Sequence, residues 1–503
     1  MTFTRRSLLK AGVTAGVSAL TAPLDTSALA QPAPVAVRTR YNVNTANGKA
    51  MLAKYATAVG LMMDASKFPR TDPRSWNFQW YTHWIPGPSA FPSAQTTKNQ
   101  MISQVYMGKP PTDPQRQLAE AMWDNCQAHS FNPSDPNFFQ EMFFCNWHRH
   151  YVYYFEEIIR GVLNDPGFTL PYWNYLSGSV ADLSMPAPFR DPNSPLFRPN
   201  RNPWVNAGDR IDKQNPGSLS LDALAEPTYI DSADGGEGFC PLVDGNPHGL
   251  VHVLIGNNTN MGNVPTAAND PIFWVHHCNI DRLWESWNRA AGHTNPTWPN
   301  RNFPFANGQG QAVSAPAAKA NRTAMLNYQY DGYAASPAPP TNLTISGAAP
   351  RVTRAFASAP ITLGSARGRV NLTPAGPPSA APLSAERLFA PSSASRRLYL
   401  VLGDIAAPAD AASTYNVYID LPDATAHPGP GDPHFMGTLH FFGAAGHEQH
   451  GPSSHKIVMN VTTRIRRLLA TRSLTAMPSV TLIRHGDAES QSPTVGQVLL
   501  VEA

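Results

Sequence analysis

The sequence predicts a chain in two parts. The first is mainly α and reaches about residue 335, a helix bundle with long loops; the second, from about residue 391, is a β-sandwich. Three observations predict this. Apolar and aromatic residues recur at helical spacing in FFCNWHRHYVYYFEEIIR (143–160) and DPIFWVHHCNIDRLW (270–284), as in bundle helices that face a common core. From about residue 393 the pattern changes to short alternating runs between turn residues: RRLYLVLGDI, TYNVYIDL, MGTLHFFG, HKIVMNV, SVTLIRH and QVLLVEA. With 49 Pro and 35 Gly in 503 residues and 15% charged residues, the chain is loop-rich, yet its apolar content suffices for a globular protein. Its length suits two or three domains.

At the N-terminus, Thr4-Arg5-Arg6-Ser7-Leu8-Leu9-Lys10 is a twin-arginine pattern. A mild apolar run from Ala11 to Leu24 follows, and Ala28-Leu29-Ala30 is a cleavage site. Residues 1–30 are therefore expected to be a signal peptide. The twin-arginine translocase would be a transient partner, and the mature chain periplasmic or secreted. That route carries folded cargo, so a cofactor would be loaded before export. The apolar run is too short and too rich in Ala, Gly and Thr for a stable membrane span, and no other segment is long and apolar enough. Cleavage removes Arg5, Arg6, Lys10 and Asp25, lowering the net charge from +3 to +1. Such a balance gives no reason to expect nucleic acid or a strongly charged partner.

The chemistry concentrates in histidines. In NPHGLVH (246–252), His248 and His252 are four apart, one helical turn on one face. His277 arrives from the second apolar segment, and Asp281, one turn further, would orient a ring or cap a neighbour. Three neutral imidazoles suit copper, zinc, iron or nickel, so spacing alone does not name the metal. The four cysteines, Cys126, Cys145, Cys240 and Cys278, are spaced neither as a disulfide framework nor as a zinc site.

DPIFWVHHCNID resembles the copper-B signature of the type 3 copper proteins: tyrosinases, catechol oxidases and hemocyanins. The resemblance implies that His277 is a ligand and His276 its neighbour. Trp147-His148-Arg149, the aromatic run after it and Glu156 resemble the copper-A signature, as LPYWNY (170–175) resembles the aromatic stretch beyond it; this implies His148 as a ligand. The family's next histidine would fall nine or ten residues earlier, where this chain has Phe139 and Phe138. Two alignments remain. In one, SFNPSDPNFF is an insertion, His129 is the middle ligand and His83, in SWNFQWYTHW, the first. In the other, His129 is the first ligand and the middle one is missing. The first uses every histidine outside the C-terminal part that sits in an aromatic context. His150 and His276 read as packing residues, and His293 carries no signal.

The resemblance further implies a four-helix core, two copper ions on His83, His129, His148, His248, His252 and His277, and oxidation of small o-diphenols to o-quinones by dioxygen. The family's Asn after the first copper-B histidine is Gly249 here. The residue four before His248 is Asp244, not Glu, the residue after His252 is Val253, and the gate position is Val264. Asp244 and Val264 are auxiliary candidates, and the balance favours diphenols over monophenols. The alternatives are a hemocyanin-like dioxygen carrier, against which the lack of internal repeats speaks, and a copper-binding pseudoenzyme with only copper B filled. Cys126, three residues before His129, resembles the cysteine that some members crosslink to a copper-A histidine. Tyr328-Gln329-Tyr330 resembles the motif that closes the copper domain, with Arg38 or Arg40 stacked on it.

The expected organisation is a copper domain over 31–335, a linker with first strands over 336–390, rich in Ala, Pro and Ser, and a β-sandwich over 391–503. The last resembles the C-terminal domain of long polyphenol oxidases and hemocyanins, which lies over the copper site as a lid. Its histidines, His434, His440, His447, His450 and His455, would either gather copper or line a solvated loop.

Overall fold

Helix α1 (Ala46–Met63) starts at Thr45, whose hydroxyl accepts from the Gly48 N–H at 3.0 Å. Helix α2 (Trp76–Tyr81) is capped the same way by Ser75 and ends just before His83. Helix α3 is Pro114–Asn125. Helix α4 (Phe144–Leu163) stops where Asn164 turns left-handed at φ 50°, a conformation Asn tolerates. Helix α5 (Leu250–Ile255) is short, and helix α6 (Ile272–Arg289) is buried continuously from Ile272 to Trp287, so it is the central helix. The computed structural model describes residues 36–83, 105–106, 108–125, 143–230, 238–256, 259–298, 300–336, 353–374, 397–408, 411–444, 455–475, 477–487 and 491–502. The expected signal peptide, Cys126, His129, His447 and His450 lie outside them.

Helices α4 and α6 pack through stacked aromatics, with Phe155 on Trp274 at 3.5 Å between ring centroids and Tyr151 on Trp274 at 4.6 Å. A buried charge network ties them to the chain ends of the helical part. Strand β1 (Arg38–Arg40) pairs in parallel with strand β4 (Tyr328–Tyr330). Between these two, β2 (Asn302–Ala306) and β3 (Ala312–Pro316) form a hairpin. Arg40, and not Arg38, is the stacked arginine: its guanidinium lies 4.0 Å from the Tyr328 ring centroid and binds Glu156 at 2.9 Å and Asp281 at 3.1 Å. Asp281 also accepts from Arg149, Tyr330 and, at 2.6 Å, Tyr328. Its side-chain partners are two arginines and two tyrosines, none of them an imidazole.

The β part comprises two antiparallel sheets. One has the order β11 (Phe435–Leu439), β10 (Thr414–Ile419), β13 (Ser479–His485), β7 (Arg367–Asn371). The other runs β12 (Ile457–Asn460), β9 (Leu398–Ala406), β14 (Thr494–Glu502), β5 (Thr353–Ala357), β8 (Thr373–Pro374), with β6 (Ile361–Thr362) also on β14. Leu400, Leu402, Val417, Ile419, Leu482, Val498 and Leu500 share the core between the sheets. Strands β5 to β8 fall in the stretch expected to hold a linker and first strands, and they are integral to both sheets. Helix α7 (Thr462–Ala470), absent from the strand pattern, buries Ile465 and Leu468 against that core.

All six residues of β10 are buried, because both its faces are covered. Tyr415, Val417 and Ile419 face the sandwich core, while Asn416 exchanges amide hydrogen bonds with Asn215 of the helical part at 2.7 and 2.9 Å. Glu226, fully buried, accepts from Arg397 at 2.7 Å, Tyr399 at 2.9 Å and Asn460 at 2.6 Å, all on the β side. Tyr399, Val401, Val458, Leu499 and Val501 join the core of the helical part, and residues 37–503 pack as one unit. Among the described residues no helix is long and apolar enough to cross a membrane.

Candidate metal centre

His148 on α4 and His277 on α6 stack with ring centroids 4.3 Å apart. His248 ends a wide helical turn over Asp244–Gly249, broken at Asn246, whose φ −142° and ψ 118° are extended; His252 sits in α5. The break precedes His248, and Gly249 and Leu250 are helical, so His248 and His252 keep one-turn spacing with their rings 4.6 Å apart. His83, just past α2, places its Nε2 3.4 Å from that of His148. Five of the six predicted ligands thus meet in one place, and the sixth, His129, lies outside the described residues. Ligand atoms of His248, His252, His276 and His277 all lie within 4.8 Å of one another.

The Nδ1 atoms follow a common rule. His83 Nδ1 donates to the Val264 carbonyl at 3.1 Å, His148 to Phe144 at 2.8 Å and His252 to Met261 at 2.7 Å. His248 Nδ1 donates to the Asp244 carboxylate at 2.8 Å. These oxygens can only accept, so each ring carries its proton on Nδ1 and turns the Nε2 lone pair to the cluster, as second-shell partners do for metal-bound histidine. The Nε2 of His252 and both nitrogens of His277 are buried without a hydrogen bond. Buried polar atoms are rarely left so; a metal would satisfy them. His276 differs, since its Nδ1 meets the Tyr175 hydroxyl at 2.9 Å and a hydroxyl can donate as well as accept. That contact is compatible with the proton on either ring nitrogen, and the His276 Nε2, like that of His252, is buried without a hydrogen bond, so His276, read from the sequence as a packing residue, belongs to the group that could hold a metal.

Burial holds the rings neutral. His83 is pushed down to about 3, and His148, His252, His276 and His277 fall well below the usual imidazole value, burial first and neighbouring imidazoles adding to it. Neutral imidazoles suit a metal cluster. Phe273 (4.1 Å from His277) and Phe144 (4.5 Å from His248) wall the site against water.

The auxiliary candidates act through the ligands: Asp244 orients His248, and Val264 holds His83 through its backbone. His150 turns away, its Nε2 donating to Pro316 at 3.1 Å, and His293 lies flat on Trp287 at 4.7 Å. Of the C-terminal histidines, His434 is buried and its Nδ1 donates to Ile419. His440 is buried too, and its Nε2 donates to the Gly245 carbonyl at 2.8 Å.

One residue of the site escaped the sequence reading. Phe442, two residues after His440, stacks on His252 at 4.1 Å and 17° and meets His248 edge-on at 5.7 Å. The aromatic run after β11 was visible in MGTLHFFG, but nothing local ties it to histidines some 190 residues earlier.

Residues 73–218 and 185–290 match the family described as the common central domain of tyrosinase. Residues 355–502 match a domain of unknown function, DUF7868. Tyrosinase HcTyr1 of Hahella sp. (strain CCB-MM4) is 31% identical over 291 residues, 52% of this chain and 56% of that protein. A chloroplastic polyphenol oxidase of Malus domestica is 30% identical over 37% of each chain. The chain thus spans about half or less of the length of these relatives. Among solved structures, latent apple tyrosinase (MdPPO1) superposes with a TM-score of 0.61 at 23% identity, covering 94% of this chain and 98% of that one. Recombinantly expressed latent aurone synthase, a polyphenol oxidase, gives 0.62 at 20%, covering 94% and 90%. At these identities what is shared is the fold, helical part and β part together.

Proposed function

Over its helical part the chain belongs to the tyrosinase and polyphenol oxidase family, with a C-terminal extension, and from that premise we propose that it oxidises o-diphenols to o-quinones with dioxygen at a pair of copper ions. The observation that carries the proposal is a buried histidine cluster in which the Nδ1 atoms of His83, His148, His248 and His252 are pinned by oxygens. His83, His129 and His148 would hold one copper, and His248, His252 and His277 the other. The copper pair supplies electron exchange between dioxygen and the phenol.

The chain's own residues do the rest. The pinned Nδ1 atoms fix the ring directions of His83, His148, His248 and His252, so that part of the ligand set is pre-organised. Phe273 and Phe144 keep water out and offer an aromatic substrate an apolar wall. Phe442 lies where a substrate ring would stack on His252, so the β part acts as a lid that substrate must displace. Gly249 has no side chain to assist deprotonation of a monophenol, which favours diphenols. A dioxygen carrier is the weaker reading, because the named relatives are a tyrosinase and a polyphenol oxidase. Export through the twin-arginine translocase to the periplasm or beyond belongs to the same proposal and rests on the Thr4–Lys10 pattern; retention of an Arg5→Lys, Arg6→Lys variant in the cytoplasm tests it.

The decisive measurement is copper per chain together with catechol turnover, for the copper-loaded wild type and His83→Ala. Two coppers falling to about one, with turnover lost, is the expected result. One copper in both proteins overturns the paired site, and reversible oxygenation without turnover would favour the carrier.

A further inference from the structure

Cys145 and Cys240 are 95 positions apart in sequence, yet their sulfurs are 3.8 Å apart, in van der Waals contact, and both residues are buried. The Tyr229 phenol hydrogen-bonds to both thiols. The place of this pair is what gives it meaning. Cys145 is on α4, one turn before His148, and adjoins Phe144, whose carbonyl pins His148 and whose ring lies against His248. Cys240 is on the short helix Phe239–Val243 that leads into Asp244, the residue pinning His248. The two sulfurs therefore touch across the seam between the elements that carry His148 and His248.

We propose that Cys145 and Cys240 are a disulfide-forming pair, and that their bond staples the two halves of the histidine cluster together. Closing from 3.8 Å to the bonded distance of about 2.05 Å asks for side-chain rotation and a small shift of one helix. The oxidant is a small disulfide of the oxidised-glutathione class. One cysteine, as thiolate, attacks it and releases a small thiol. The second then displaces the other small thiol from the mixed disulfide. The protein loses two protons and two electrons, one sulfur–sulfur bond forms and one breaks. Burial holds the Cys145 thiol well above its usual value, so exchange is slow and proceeds through transient opening. A crosslink closing so long a loop constrains the unfolded chain strongly.

The test incubates the full-length protein with oxidised glutathione, blocks remaining thiols under denaturing conditions and maps peptides by mass spectrometry. A reducible peptide joining Cys145 to Cys240 is expected in the wild type and lost in Cys145→Ala and Cys240→Ala. The oxidised wild type should melt about 5 °C higher than the reduced form. It should also yield copper to a chelator several-fold more slowly, with neither difference in the variants. Both thiols blocked after oxidation, each carrying glutathione alone, or Cys126 or Cys278 found in the crosslink, overturns the pair. A crosslink that leaves melting and copper release unchanged overturns the staple. The mapping and melting need no copper, so they stand apart from the oxidase reading.

Discussion

At Gly249 the β part packs against the backbone beside His248. A Cβ there would lie 2.5 Å from His440 Cε1 and 3.2 Å from the Asp244 carbonyl, so only glycine leaves room for the His440 ring to reach Gly245. The residue beside His248 is thereby matched to a histidine nearly two hundred positions later. Gly249→Ala should expel His440, withdraw Phe442 and raise catechol turnover of the full-length protein. Initial rates equal to wild type would sink this account. Phe442→Ala tests the same contact from the other side. A stacked aromatic pair is worth about 0.5–1.5 kcal/mol, so turnover at low catechol should rise by up to about tenfold at unchanged copper content.

Buried imidazoles also set the acid response. His83 is pushed to about 3, and burial pushes His150 and His440 to about 4. Folded values below the unfolded value of 6.5 mean that folding excludes protons. The stability is therefore full above pH 6.5 and is lost as pH falls toward the folded values. For one such ring the loss approaches about 3 kcal/mol near pH 4. Melting of the copper-free protein should be flat above pH 7 and drop steeply from pH 6.5 to 4; a flat profile through that range would contradict the burial of these rings.

At the scale of elements, α4 and α6 are held by Asp281 with Arg40 and Arg149, all buried and close to fully shielded. Removing one partner of a buried ion pair strands the other charge. Asp281→Asn should therefore cost about 3–5 kcal/mol, visible as a lower urea midpoint. Little change would mean that the tyrosines and aromatic packing hold α4 on α6 without the charges.

At the scale of the whole molecule, Glu226 is the polar latch between the parts, with Arg397, Tyr399 and Asn460 closing on it from the sheet. Glu226→Ala leaves Arg397 and two further donors without their acceptor, at a cost of about 3 kcal/mol. Faster proteolytic separation of the β part and higher catechol turnover are expected together; faster proteolysis with unchanged turnover would dissociate the latch from the lid.

Much of this was legible in the chain. Helical aromatic spacing marked α4 and α6, and alternation marked most of the later strands, because a buried face imposes its period on sequence. His148, His248, His252 and His277 were marked by short motifs, His248 and His252 because helical geometry puts residues four apart on one face. His83 needed its partners, because a lone histidine carries no local mark of what it faces. First strands were expected within the Ala-, Pro- and Ser-rich stretch, but the bounds and partners of β5 to β8 were not legible, because pairing with β14 and β13 outweighs weak propensity. Helix α7 was masked by a short, arginine-rich stretch whose core face is only Ile465, Leu468 and the partly buried Leu469. What the sequence by itself determined was the order of helical and strand parts and which histidines stand at helical spacing in aromatic surroundings. Only the tertiary structure decided that Phe442 covers His252, that His440 fills the space at Gly249 and that Cys145 meets Cys240. Those contacts join residues about a hundred or more positions apart, and no local period records a pairing that packing alone creates.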